Sequence, residues 1–196
     1  AGTSCLSGAC LDPTTLTCSG SQQNNSCSKG ANIILGPYWV NNNWWGADTG
    51  SGQTCIWSNC ATGDLVGWGQ SFNWTGQAGA VKTYASLVFG WQWGWQLGSN
   101  GQRLVTSLPL QLNTNKAINC GWNFNVTATN TITMNVAYDL YAHTIANAGT
   151  NDDPTDEIMI WLYRGNGAAP IGTKQNGTLS PGGGTFDLYD GTNTRW

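Results

Sequence analysis

The chain has 196 residues, of which only 9% are charged, a formal net charge of −3 and 12 tryptophans. Its 40% apolar fraction excludes a disordered chain, and the lack of a lysine or arginine cluster disfavours nucleic-acid binding, which requires phosphate neutralisation. No apolar run approaches the roughly 20 residues that span a bilayer. We therefore expect neither a nucleic acid nor a membrane as a partner, and an uncharged, hydroxyl-rich ligand fits better.

The N-terminal segment is the first distinct region. Residues 1–30 are rich in Cys, Ser and Gly without periodicity and are predicted to form an arm, whereas residues 31–196 form one domain. The chain begins at Ala1 rather than Met, as expected after removal of a signal peptide, so a secreted, extracellular protein is predicted.

Seven cysteines in polar surroundings indicate an oxidising compartment and disulfides. They are Cys5, Cys10, Cys18, Cys27, Cys55, Cys60 and Cys120. Cys55 and Cys60 are close enough in sequence to close a small loop, and the first four could staple the arm. The odd number leaves one thiol unpaired, or its partner lies outside this sequence. Because no Cys-x-x-Cys pair occurs and His143 is the only histidine, no metal site and no cofactor are predicted.

Beyond the arm, short runs alternate apolar and polar residues and are interrupted by Gly, Asn and Asp. Segments 80–97, 118–129 and 131–141 show this two-residue period, which predicts β-strands. No convincing helical stretch of ten residues occurs. Many short strands separated by turn residues predict an all-β protein of the sandwich, jelly-roll or barrel type. In segment 80–97, the tryptophans at 91, 93 and 95 suit either a core or a sugar-binding row, and a core is the more common use.

Segment 155–162, TDEIMIWL, is the most informative strand. One face carries Ile158, Ile160 and Leu162 and is predicted to face the core. The other face carries Glu157, Met159 and Trp161, a combination better suited to a substrate cleft than to solvent.

The preceding strand places Asn135, Ala137 and Asp139 on one face. If the two rows share one concave surface, Asp139 and Glu157 approach each other, and neighbouring carboxyls raise each other's proton affinity. The alternative is that both are ordinary polar residues of an exposed sheet face.

Six strings resemble glycoside hydrolase family 12, the compact endoglucanases and xyloglucan-specific endoglucanases. They are NNNWWGA at 41–47, GWGQSFNW at 67–74, VKTY at 81–84, NVAYDLY at 135–141, DEIMIWL at 156–162 and PIG at 170–172. Their order and spacing match from about residue 38 onward. The resemblance implies a jelly-roll β-sandwich of two antiparallel sheets with an open concave substrate cleft.

The resemblance also implies a function: retaining, endo-acting hydrolysis of β-1,4-glucosidic bonds in soluble β-glucans or xyloglucan. Separately, we expect a monomer, because nothing in the sequence suggests an interface. The resemblance makes Glu157 the nucleophile and Asp139 its hydrogen-bonding partner. The residues implied in substrate binding are Asn43, Trp45, Asn135, Met159 and Trp161.

One part of the family pattern has no match. The resemblance places the acid/base glutamate downstream of residues 170–172, but only Asp187 and Asp190 are acidic there. We expect the domain to lack its last strands as given, either because it is part of a longer enzyme or because it is a shortened, inactive relative that binds β-glucan or an inhibitor protein.

Two further interpretations remain open. A carbohydrate-binding module would use the same tryptophans without an inward carboxylate. Three carboxylates in segment 151–156 suit a calcium site, although a solvated loop is the more usual explanation for this spacing.

Overall fold

The computed structural model describes residues 18, 20–92, 106–127, 132–180 and 183–194, together with the backbone of residues 4–6 and 9–11. Its regular structure in these ranges consists of strands and two short 3-10 turns, without an α-helix. The predicted all-β class is therefore confirmed. No helix in the described part is long and apolar enough to cross a membrane.

The strands are numbered in chain order. They are β1 (Ser4–Leu6), β2 (Ala9–Leu11), β3 (Gln23–Ser26), β4 (Asn32–Leu35), β5 (Tyr38–Asn41), β6 (Gly50–Thr62), β7 (Leu65–Gly76), β8 (Ser86–Phe89), β9 (Met134–Ala142), β10 (Asp156–Gly165), β11 (Thr173–Leu179) and β12 (Phe186–Asp190). The 3-10 turns are Ala47–Thr49 and Leu112–Thr114.

The chain divides into two compact units. The first comprises Ala1–Thr17, Lys116–Leu140 and Glu157–Trp196, and the second comprises Cys18–Asn115 and Tyr141–Asp156. Each unit is described by itself.

The second unit contains two three-stranded antiparallel sheets with the orders β3-β6-β7 and β4-β5-β8. The inner residues of the two sheets meet in one apolar cluster. Its buried members are Ile33, Leu35, Val40, Ile56 and Ala85, with Tyr38, Val66, Trp68 and Leu87 packed against them. The alternation of apolar residues along each strand produces this core, since successive side chains point to opposite faces of a sheet.

The β6–β7 hairpin is the longest paired element described. Thr62 pairs with Leu65 across a two-residue loop, and the pairing continues to Gly50 and Gly76. Gly63 begins the loop with φ +58°, the left-handed conformation that primed hairpin turns require and that glycine adopts without strain.

Two disulfides anchor the N-terminal side of the second unit to β6. Cys18 is joined to Cys60, and Cys27 is joined to Cys55. The interpretation that Cys55 and Cys60 close a small loop is wrong, because each is bonded to a cysteine of the preceding segment. Strand geometry explains the difference, since residues in one extended strand are held apart.

In the first unit, β1 pairs with β2, β11 pairs with β12, and β9 lies beside β10. Lys174 on β11 forms an ion pair of 2.8 Å with Asp187 on β12. The strands predicted in segments 131–141 and 155–162 correspond to β9 and β10.

The strand predicted over 118–129 is not formed in its described part, residues 118–127. Side-chain exposure still alternates along this segment. Trp122, Phe124 and Val126 are half-buried, whereas Asn123 and Asn125 are exposed. A strand also requires a neighbouring backbone to complete its ladder, and no pairing is formed along 118–127. Trp93, Trp95 and residues 128–129 of these predicted segments lie outside the described residues.

The expectation that Ile158 faces the core is also wrong. Its side chain is 53% exposed, whereas Ile160 and Leu162 on the same face of β10 are half-buried. Alternation assigns residues to a face, but it does not determine how far along the strand that face is covered.

Candidate functional site

Two strands of the first unit carry the predicted carboxylates. Glu157 is the second residue of β10, and Asp139 lies in the second half of β9. The backbone N–H of Thr155 donates to the carbonyl of Ala142 at 2.9 Å, and the Thr133 hydroxyl donates to the carbonyl of Asn166 at 3.0 Å. These bonds join opposite ends of the two strands, so β9 and β10 run antiparallel.

This pairing fixes where the carboxylates lie along the ladder. Glu157 follows Thr155 by two positions and Asp139 precedes Ala142 by three, so both belong to the end closed by the Thr155–Ala142 hydrogen bond. Asn135 belongs to the opposite end, beside the Thr133–Asn166 bond. The antiparallel arrangement therefore brings Asp139 and Glu157 to the same end of two neighbouring strands.

The row that begins at Glu157 is half-buried. Glu157, Met159 and Trp161 stand at two-residue steps and share one face of β10, and all three are neither fully buried nor fully exposed. A carboxylate flanked by a thioether and an indole, each partly accessible, is an amphipathic surface. Such a surface suits a ligand with both hydroxyl groups and apolar ring faces.

The opposite face of β9 is aromatic. Tyr138 lies 5.8 Å from Trp122 between ring centroids, and Trp122 lies 5.6 Å from Phe124. Burial raises the pKa of Tyr138 above its ordinary value, and the charge of Cys120 and a hydrogen bond with its side chain raise it further. Cys120 itself is exposed and carries a free thiol. These contacts support β9 from the side that faces away from Asp139.

The second unit presents the other predicted residues on the turn that follows β5. Asn43 is half-buried there, whereas the Trp45 side chain is 45% exposed. An indole with this exposure offers a ring surface that a ligand can contact.

A buried amide holds this turn in place. Asn42 is fully buried, and its Nδ2 donates to the carbonyls of Ser28 and Thr54 at 2.9 and 2.8 Å. Its Oδ1 accepts from the indole nitrogen of Trp44 at 3.0 Å. Trp44 packs edge-to-face on Trp74 at 5.2 Å. One side chain thus connects the turn, β6 and the segment before β4.

Two of the quoted strings contact each other at this point. The carbonyl of Asn43 accepts from the backbone of Tyr84 at 2.8 Å and from the hydroxyl of Thr83 at 2.9 Å. Gly46 donates from its backbone to the carbonyl of Lys82 at 3.2 Å. Segment 81–84 therefore backs the turn that carries Asn43 and Trp45.

The predicted residues thus fall into two groups. One group lies on β9 and β10 of the first unit and contains Asn135, Asp139, Glu157, Met159 and Trp161. The other lies in the second unit and contains Asn43 and Trp45.

Sequence reasoning missed Asn42 and the Tyr138–Cys120 contact. Three consecutive asparagines carry no signal that distinguishes the buried one, and residues 120 and 138 belong to different segments of the chain.

Segment 151–156 shows no metal-binding arrangement. The Asp152 carboxylate accepts a hydrogen bond of 2.6 Å from the backbone of Gly149, which is how aspartate stabilises a turn. In the part of the chain that the structure describes, no group of three or more metal-ligating side chains comes together.

Comparison with known proteins extends these observations. The family model for glycosyl hydrolase family 12 matches residues 36–196. Among curated proteins, endoglucanase S of Pectobacterium parmentieri is 36% identical over 160 residues, which cover 80% of this chain and 55% of that protein. The xyloglucan-specific endo-β-1,4-glucanase A of Emericella nidulans is 30% identical over 170 residues, which cover 85% of this chain and 62% of that protein.

A solved structure is similar as well. The endoglucanase 3 of Trichoderma harzianum superposes with a TM-score of 0.67 at 28% identity, covering 88% of this chain and 68% of that one. This match agrees with the predicted β-sandwich. The chain spans between half and two thirds of the length of the two curated relatives above.

Proposed function

Because this chain belongs to glycosyl hydrolase family 12, we propose that it acts in the retaining, endo-acting hydrolysis of β-1,4-glucosidic bonds in soluble β-glucans or xyloglucan. Relatives named as an endoglucanase and as a xyloglucan-specific endoglucanase support this substrate class. The observation that carries the proposal is the presence of Asp139 and Glu157 at the same end of two neighbouring antiparallel strands.

In this proposal Glu157 is the nucleophile. Its carboxylate attacks the anomeric carbon, the bond from that carbon to the leaving oxygen breaks, and a covalent glycosyl-enzyme forms. In retaining enzymes the nucleophile and the acid are roughly 5–5.5 Å apart, which permits direct attack without an intervening water. Asp139 is the hydrogen-bonding partner of Glu157.

The remaining residues bind substrate. Met159 and Trp161 continue the Glu157 face of β10 and line the cleft under the reacting sugar. Asn135 offers an amide at the other end of β9. In the second unit, Asn43 offers a polar contact and Trp45 offers a stacking platform for a glucose ring.

We assign no residue of 1–196 as the proton donor for the leaving sugar. The resemblance places it in a string downstream of 170–172 that these residues do not contain. General acid assistance is worth about 10² to 10⁴ in rate, so the test of Glu157 uses a substrate that does not need it.

That test is covalent labelling with 2,4-dinitrophenyl 2-deoxy-2-fluoro-β-cellobioside. Dinitrophenolate leaves without protonation, and the fluorine slows hydrolysis of the glycosyl-enzyme. We expect one added fluoro-cellobiosyl group, located on Glu157 by peptide mass spectrometry. The matched variant Glu157→Gln should remain unlabelled, and Asp139→Asn should be labelled more slowly. Labelling of another residue would contradict the assignment, and an unlabelled native chain would favour a binding role.

We also propose that the protein is secreted and monomeric. Disulfides such as Cys18–Cys60 and Cys27–Cys55 persist in oxidising compartments. Analytical ultracentrifugation of the secreted protein tests the monomer.

A further inference from the structure

The outer face of the β6–β7 hairpin differs from the proposed cleft and has no assigned role. Neither strand contains an Asp, Glu, Lys, Arg or His, although they have 13 and 12 residues. Their polar side chains are hydroxyls and amides only. Such a surface has no charge with which to attract an ionic ligand.

Alternation separates the two faces of the hairpin. Thr54, Ile56 and Ser58 of β6 are buried and point inward. The outward face carries Trp57, half-buried, and a group of exposed hydroxyl and amide side chains. That group consists of Ser51, Gln53, Ser71, Asn73 and Thr75.

Trp57 occupies a specific place on this face. It pairs with Gly69 across the ladder, and its indole covers the glycine. A Cβ added at Gly69 would lie 2.5–2.8 Å from three atoms of the indole. The ring therefore occupies the space that a side chain at position 69 would fill. The absence of a side chain at Gly69 lets the large ring lie low on the sheet.

We propose that this outer face is a second carbohydrate-binding site, which holds a neutral β-glucan chain against Trp57. The apolar C–H face of a pyranose packs on the indole. Ser71, which follows the Gly69 partner of Trp57 by two residues, and Gln53, farther along the same face, then hydrogen-bond to the sugar hydroxyls. The ligand class rests on the proposed function, while the site itself rests on the composition and geometry of this face.

A site of this kind affects long polymers more than short substrates. A polysaccharide offers many glucose units, any run of which can pack on Trp57, so polymer binding includes this face. A short oligosaccharide that fills the catalytic site gains nothing from Trp57. Binding to polymer and turnover of a short substrate therefore report on different sites.

The experiment is affinity electrophoresis in native gels that contain xyloglucan or mixed-linkage β-glucan. All proteins carry Glu157→Gln, which prevents hydrolysis during migration, and are made in a bacterial host without N-glycosylation because Asn73 begins an N-x-T sequon on this face. We expect Trp57→Ala to weaken retardation about two- to tenfold, the range that corresponds to one aromatic contact. The matched variant Trp57→Tyr should retain most of it.

Gly69→Ala provides an independent variant, because the new methyl group would displace the indole. We expect it to weaken polymer binding as Trp57→Ala does. Equal retardation of the parent protein and Trp57→Ala, or no retardation of the parent in either gel, would overturn the site. Since retardation requires no hydrolysis, failure of the proposed function would appear separately, as unlabelled Glu157 in a protein whose binding still depends on Trp57.

Folding is monitored by the thermal unfolding of each variant. A loss of retardation in a Trp57→Ala protein that melts like the parent supports the site. If Trp57→Ala melts at a lower temperature than the parent, the parent is compared with Trp57→Tyr and Trp57→Phe instead. Retardation that decreases with the size of the aromatic ring supports the site. Identical retardation of all three proteins overturns it.

Discussion

Asn42 is a single side chain on which the position of an entire turn depends. Its substitution by Ala would leave the carbonyls of Ser28 and Thr54 and the indole N–H of Trp44 without this partner. Because unsatisfied buried polar groups are costly, we expect a loss of about 1–3 kcal/mol in the free energy of unfolding. Urea denaturation measures it. The control is Asn32→Ala, since Asn32 is exposed and makes one local bond to Gly30, and we expect it to cost less than about 0.5 kcal/mol.

Tyr138 gives the protein a dependence on alkaline pH. Burial, with the charge and hydrogen bond of Cys120, raises its pKa in the folded state above the ordinary value of about 10. Above about pH 10 the unfolded chain loses a proton that the folded chain keeps, so the free energy of unfolding falls as pH rises. Between about pH 9 and pH 11 we expect a steeper fall in the native protein than in Tyr138→Phe. Parallel slopes in urea denaturation would contradict this.

At the scale of elements, the turn that carries Trp45 packs closely against segment 81–84. Gly46 is buried with φ −109°, an ordinary value, but an added Cβ would overlap the carbonyl oxygen of Val81. The cost of Gly46→Ala is therefore steric, and we expect about 1–3 kcal/mol of destabilisation, as for other overpacked sites. Weaker glucan binding should accompany it because Trp45 shifts. The control is Gly63→Asn, where the space is open and Asn tolerates the left-handed conformation.

The two disulfides crosslink the N-terminal segment to β6. Cys18 and Cys60 are 42 residues apart in sequence, and a crosslink of that span stabilises by about 4 kcal/mol in the chain-entropy account. We expect the double substitution of both by Ser to lower the free energy of unfolding by an amount approaching this. Cys120→Ser is the matched control, because this exposed cysteine has a free thiol, and its midpoint in urea should remain close to that of the native protein.

At the scale of the whole molecule, the scarcity of charge predicts a simple response to salt. With 9% charged residues and the neutral substrate proposed above, we expect glucan binding to release few counterions. We expect the dissociation constant for a cello-oligosaccharide to change less than about twofold between roughly 0.05 and 0.5 M NaCl. Isothermal titration calorimetry measures it, and a several-fold loss of affinity over this salt range would contradict the prediction.

The all-β class and the strands β9 and β10 were predictable from the sequence because their signal is local. Alternation of Val136, Tyr138 and Leu140 suffices to assign a strand and its two faces. The same reasoning failed over 118–127, where the alternation is present but no pairing is formed. Pairing is a property of distant segments, which is also why the partners of Cys55 and Cys60 were not predictable.

The residues of the candidate site were easier to predict from the sequence than the contacts that hold them in place. The position of Glu157 beside Met159 and Trp161 follows from strand period alone. Asn42, by contrast, differs from Asn41 and Asn43 only in its surroundings, which three distant groups determine. Sequence patterns therefore predicted candidate ligand-binding residues, and they missed the buried Asn42 that holds the turn carrying Asn43 and Trp45.

The β6–β7 hairpin also has a consequence for oxidative folding. Its strands pair across a two-residue loop, and such hairpins form in about 1–10 μs, whereas thiol oxidation takes seconds to hours. We therefore expect extended β6 to form before Cys55 and Cys60 are oxidised, so that these neighbouring thiols do not join each other. The hairpin would then hold the two thiols apart for Cys27 and Cys18. A weakened hairpin should misfold through the wrong cysteine pair, and the yield of correctly oxidised protein would then depend on a disulfide isomerase.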